Sequence, residues 1–194
     1  MYETDRKRAT EEARDFIYHT INDVLMPAWL GTDWNFYGIT RQPRNGEIAC
    51  GHYVARILRD AGFDVDDSST RTGLGVQLSG NIAKSVCPPG NIKWYSNRSI
   101  AEIEGDLVKN GDSVFIMGHA CGAGFFVTRD GQAYVCNSTH HFLEGEPRVV
   151  YVPIEESPDV SGSLSSRKAI VVGNVLNDET IEKWLRGEKI ETVR

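Results

Sequence analysis

Between Thr4 and Leu25 the apolar residues Ala13, Phe16, Ile17, Ile21, Val24 and Leu25 recur at helical spacing among charged positions, which predicts an amphipathic helix packed on a later element. From Met26 to Ile48 the periodicity gives way to Pro27, Gly31, Gly38, Pro43 and Gly46, with Trp29, Trp34, Phe36 and Tyr37 interleaved, the pattern of a long aromatic loop. A loop of that length without secondary structure of its own usually binds or shapes something. A second helix is expected from Cys50 to Ala61, with Cys50, Val54, Ile57, Leu58 and Ala61 on its buried face and Gly62 placed to end it. Another is expected over Leu74 to Val86, closed by Pro88, Pro89 and Gly90. Ser99 and Glu102 have capping-box spacing ahead of Ile103 and Leu107, and Asn110-Gly111 ends the helix they start.

After Gly111 the pattern turns to strands. Ser113–Met117, Ala123–Thr128, Gln132–Asn137, Arg148–Pro153 and Ala169–Val175 are rich in Val, Ile, Phe and Tyr, and Asp130-Gly131 is a hairpin turn between the second and third. A short helix over Asp178 to Arg186 is stopped by Gly187 and followed by a charged tail. Helices followed by a run of strands predict an α+β fold in which N-terminal helices pack on an antiparallel sheet of about five strands. One domain is expected over 1–194, with the first helix in 1–28, the loop and second helix in 29–62, the sheet in 111–175 and the last helix in 178–187.

Composition agrees with one packed globular domain: 194 residues, 40% hydrophobic and 25% charged. The net charge of −6 and the scattered Lys and Arg argue against a nucleic-acid partner. No stretch of about 20 apolar residues suits a membrane span, and the start MYETDRKRATEEARDF lacks the apolar core of an export signal. The expectation is therefore a cytoplasmic chain with no membrane partner, or one secreted without a leader. Cys50, Cys87, Cys121 and Cys136 show no dense disulfide pattern and are expected to be free thiols.

Among the four, Cys50 stands apart. In Gly46-Glu-Ile-Ala-Cys50-Gly51-His52 the thiol sits on the first turn of a helix, where unpaired backbone N–H groups favour a thiolate and can also hold an oxyanion. Tyr37-Gly38, a Pro- and Gly-containing turn, and Cys50 leading a helix that closes with Leu58-Arg-Asp-Ala-Gly62-Phe63 resemble the first half of NlpC/P60-type and related papain-like amidases. Asn110-Gly-Asp-Ser-Val-Phe-Ile, then Gly124-Phe-Phe-Val127 and Asp130-Gly131, resemble the second half, so the likeness runs from about Trp34 to Ser138.

That resemblance implies a papain-like fold and hydrolysis of an amide bond through a Cys50 thioester, without metal or cofactor. The implied substrate is a peptide, chiefly a peptidoglycan stem peptide, and an inhibitor or immunity protein is an implied partner if the chain is a bacterial toxin. It also implies Tyr37, Trp34 and Gly51 at the substrate groove. One departure matters: the family's histidine position falls on Gly122. His119 is then the expected base, redirected by a bulge between Gly118 and Gly122. Asn137, near the end of the next strand, is the expected orienting residue because its side-chain oxygen can accept from an imidazole N–H. His140 and His141 are reserve bases, whereas His52 is set aside because residues two apart on a helix face different ways.

Other readings remain open on sequence alone. A buried cysteine is commonly only a small hydrophobe, and Asn is at home in a turn. The glycine at the histidine position suits a catalytically inactive relative that serves as a binding module. His119, Cys121, Cys136, His140 and His141 supply enough nitrogen and sulfur for a zinc-binding module, although their spacing matches no zinc signature. There is no Gly-x-Ser-x-Gly elbow for a serine hydrolase.

Overall fold

A computed structural model of the chain describes residues 2–141 and 146–193; Met1 and Arg194, at the ends of the expected domain, lie outside the described residues. The expected N-terminal helix is a longer helical arm: α1 (Tyr2–His19) runs through one π turn (Thr20–Leu25) into α2 (Met26–Trp29). The arm buries Ala13, Ile17, Ile21, Met26 and Trp29 in the main core and leaves Phe16 and Val24 exposed. The extra residue of the π turn keeps Trp29 on the buried side, where its ring meets Tyr53 edge-on.

The region read as a loop holds two short strands, β1 (Asp33–Trp34) and β2 (Glu47–Ile48), which lead into α3 (Cys50–Asp60). Its end is as the sequence predicts, with Gly62 in the left-handed region at φ +90°. A two-residue strand β3 (Asp64–Val65) follows, and the expected helix over Leu74 to Val86 divides into a 3₁₀ turn at Leu74–Val76 and α4 (Ser79–Val86). Strand β4 (Ile92–Tyr95), which sequence reading missed, precedes α5 (Ile100–Val108) with its Ser99–Glu102 capping box in place. Then come β5 (Ser113–His119), β6 (Gly122–Arg129), β7 (Gln132–Thr139), β8 (Arg148–Pro153), α6 (Pro158–Ser165), β9 (Ile170–Asn174), α7 (Asp178–Leu185) and β10 (Lys189–Ile190).

The fold is α+β, but its sheet differs from the expected one. Eight strands form one mixed sheet in the order β2-β1-β8-β7-β6-β5-β9-β4, in which β1 and β2 run parallel; β3 and β10 form a separate parallel pair. The five expected strands are its antiparallel centre and β9. The short members escaped notice because two residues carry no periodicity, and pairing alone defines them.

Helices also cover both faces rather than one. Ile116, Phe125, Val127 and Cys136 pack with residues of α1, α3 and α4 in the larger core, whereas Phe115, Met117, Phe126 and Val135 pack with Ile103 and Leu107 of α5 and Val160 of α6. The alternation follows from the two-residue period of strands. No helix among the described residues is long and apolar enough to cross a membrane.

Candidate functional site

Cys50 is fixed from its backbone outward. Gly38 lies so close to the chain after β2 that a Cβ there would come within 2.6 Å of the Glu47 carbonyl carbon and the Ile48 nitrogen. That approach lets the Gly38 carbonyl accept from Ala49 N–H at 2.8 Å, while Ser138 Oγ on β7 donates to the Ile48 carbonyl at 2.7 Å. The turn into α3 is thereby tied to the end of β7. Ala49 has no polar side chain to cap α3, so its first N–H groups remain free for other acceptors. The backbone N–H dipoles of Ala123, Gly51 and Cys50 lie near the Cys50 sulfur and favour its charged form.

Burial nonetheless wins at Cys50. Desolvation is the largest influence, the Asp159 charge adds to it, and together they hold the thiol above its ordinary value against those N–H groups. The thiolate expected from the helix start is therefore not the resting form, because the dipole of a first turn is outweighed by the loss of water.

Gly122 explains how the His119 ring and the Cys50 thiol come side by side. A Cβ built there would lie 2.7 Å from the Cys50 sulfur and 3.8 Å from His119 Nε2, so the sulfur rests against the open side of a glycine with the ring beside it. His119 is the cross-strand partner of Gly122 in the β5–β6 hairpin, which closes over Ala120 and Cys121 in regular register. The bulge expected between Gly118 and Gly122 is absent. The imidazole stands beside the sulfur from the opposite rung of the same hairpin, and a side chain at Gly122 would collide with Cys50.

The hairpin end is anchored on both faces: Ser79 Oγ, on α4, donates to the His119 carbonyl at 3.1 Å, and Ala120 N–H donates to Ser163 Oγ, on α6, at 3.4 Å. His119 is only 6% exposed, and its Nε2, buried, has no hydrogen-bond partner among the described residues. Its Nδ1 faces Cys121 N–H at 3.4 Å. Burial pulls His119 below the ordinary imidazole value, with His141 and His140 adding to that pull and Asp159 opposing it. At neutral pH the pair is a neutral thiol and a neutral imidazole.

The remaining expected residues divide. Trp34, Cys50, His119, Cys121, Gly122, Asn137, Ser138, Thr139, His140 and Asp159 line one small pocket. Asn137 is buried there, yet its Nδ2 donates to Asp159 Oδ2 at 2.6 Å, so it serves a carboxylate and not the imidazole for which sequence reading chose it. The Trp34 ring stacks on His140 at 4.9 Å. Tyr37 lies outside the pocket, 83% exposed and edge-on to Phe36. The Cα of Gly51 faces backbone rather than open groove: a Cβ would come within 2.2 Å of the Gly75 carbonyl oxygen. Gly51 therefore contributes its N–H and a close helix–loop contact.

Asp159 was missed. It is 3% exposed, near the start of α6, and its Oδ1 pairs with His141 Nδ1 at 2.7 Å. Burial raises its carboxyl, but His119, His141, Asn137 and Thr139 outweigh that and hold it below the usual range. A signal was present in Ser157-Pro158-Asp159, an N-cap followed by proline at the first helical position, and Ser157 does cap α6.

Of the other histidines, His52 is buried against Gly75, and desolvation followed by the Arg56 charge lowers it. All four cysteines are free. Cys136 sits in the larger core bonded to Tyr53 Oη at 3.1 Å, while Cys121 is exposed, and among the described residues no three His, Cys, Asp or Glu side chains are placed to hold a metal ion. Comparison of the chain with protein-family models, with curated proteins and with solved structures finds no match.

Proposed function

We propose that the protein is a cysteine hydrolase of the NlpC/P60 and papain-like kind that cleaves an amide bond through a thioester at Cys50. The observation that carries this reading is that the Cys50 sulfur and His119 Nε2 share the open side of Gly122, 2.7 and 3.8 Å from where its Cβ would be, at the start of α3. Because both groups are neutral at rest, the thiol loses its proton to His119 as it attacks, a general-base step rather than attack by a preformed thiolate.

As the carbon–sulfur bond forms, charge leaves the sulfur for the carbonyl oxygen, and the Cys50 N–H becomes an oxyanion donor. The imidazolium returns its proton to the departing amine. Water, deprotonated in turn by His119, then releases the acid and restores the thiol. The substrate implied by the resemblance is a peptide, chiefly a peptidoglycan stem peptide, with an inhibitor or immunity protein as a further partner if the chain acts as a toxin.

Acid-quenched mass spectrometry after mixing with peptidoglycan stem peptides tests the reading: an acyl group is expected on the peptide containing Cys50. Turnover that persists in full in Cys50→Ala would sink it. A second reading, an inactive relative that binds without cleaving, is favoured by the Cys121 N–H facing His119 Nδ1. That bond places the neutral ring's proton on Nε2, toward the sulfur, so the ring must exchange tautomers before it can act as a base. Binding of stem peptides without any acyl adduct would select this reading.

A further inference from the structure

We propose that Asp159 is the positioning carboxylate of the site, its charge acting across the shared pocket rather than through a hydrogen bond to ready His119 to become an imidazolium, and that Asn137 and His141 act by clamping Asp159. The proposal rests on the assignment of Cys50 and His119 as the reacting pair. It departs from the resemblance, which puts the orienting group at the end of β7; here a carboxylate on α6, beyond the matching segment, takes that place.

The geometry supports this in three ways. Asp159 is nearly without solvent, so its charge is screened less than an exposed carboxylate's would be. Both oxygens are committed, Oδ2 to Asn137 Nδ2 at 2.6 Å and Oδ1 to His141 Nδ1 at 2.7 Å, so the carboxylate cannot swing away. It also shares one pocket with Cys50 and His119. A buried carboxylate with a full set of donors stays ionised, and an ionised neighbour stabilises the positive ring that forms during the reaction.

His119 is faced by Asp159 from α6, by His140 and His141 from the end of β7, by Cys50 from α3 and by Cys121 from the hairpin turn. Asp159 is the anion in that set. It favours the charged ring and opposes the charged thiol, so its removal predicts two shifts of the same sign. In Asp159→Asn the midpoint of His119 ring titration, read by ¹H–¹⁵N NMR of the imidazoles, should move to lower pH. The midpoint of Cys50 alkylation by iodoacetamide should also move to lower pH.

Turnover in Asp159→Asn should fall about 10²-fold or more, with the acid limb of kcat/KM displaced to lower pH. Asp159→Glu should recover part of it. If Asp159→Asn does not fold, Asn137→Ala carries the test, freeing one carboxylate oxygen and lowering both midpoints by less. A folded Asp159→Asn, or a folded Asn137→Ala in its place, with unchanged His119 and Cys50 midpoints would overturn the proposal. These titrations need no substrate, so they decide on Asp159 even if Cys50→Ala should show that the hydrolase assignment is wrong.

Discussion

Cys136 is fully buried and Cys50 partly so within one fold, and burial raises both, Cys136 to about 12. Their surroundings differ in kind. Cys136 lies in the core with a tyrosine hydroxyl as its partner, whereas Cys50 sits where a helix start, a strand backbone, an imidazole and a carboxylate meet. Burial alone makes a thiol inert. What separates a candidate nucleophile from a packing residue is which groups wait for the charge that burial suppresses.

The widest gap between the two should appear in turnover. Cys50→Ala is expected to lower kcat by at least about 10³-fold while melting close to wild type. Cys136→Ala should keep near-normal kcat but lose about 1–3 kcal/mol of stability by stranding the Tyr53 hydroxyl, read from chemical denaturation. The reverse pattern would exchange their roles.

Next in size is the base. His119→Ala should reduce kcat about 10²-fold with folding intact, His141→Ala should cost less through Asp159, and His140→Ala least. A dominant loss at His141 would move the base to the imidazole that is hydrogen-bonded to the carboxylate. A smaller effect, about 10-fold on kcat/KM, is expected from Gly122→Ala, whose methyl would push sulfur and ring apart. An unaltered rate there would mean that the sulfur does not work from its resting place.

The mildest test is of stability against pH. His119, His52 and His140 are each held below the ordinary imidazole value of 6.5, with burial the largest cause for each. The unfolded chain therefore binds protons near pH 6.5 that the folded chain refuses until lower pH. Stability should fall as pH drops below about 6.5, until the folded pKa values are passed. His119→Gln should flatten part of that slope in thermal melts, whereas Cys136→Ala should leave its shape unchanged.

The sequence carried the centre of this picture and not its edges. Cys50 was legible because a glycine turn before an amphipathic run marks a helix start, and the β5–β6–β7 meander because long Val, Ile and Phe runs flank Asp130-Gly131, both with positive φ. His119 could be named but not placed: a bulge was expected where a regular rung sufficed. Asp159 was overlooked because the small and polar residues Ser161, Gly162 and Ser163 blur the periodicity of α6, although its cap was visible. The protonation of Cys50 lay beyond sequence altogether, since opposing burial and backbone dipoles can be weighed only with coordinates.

The π turn between α1 and α2 sets the phase of the whole N-terminal arm. Arg6 and Arg14 pair with Glu182 and Asp178 of the last helix, and Tyr18 reaches the Thr128 carbonyl, all from residues on one side of that turn. Removing a single residue within Thr20–Leu25 would restore an ordinary α-helix and rotate everything before it by about 100°. Those three attachments would then be lost together, as when one tooth is skipped on a gear, and the last of them is on the far end of the strand that starts at Gly122.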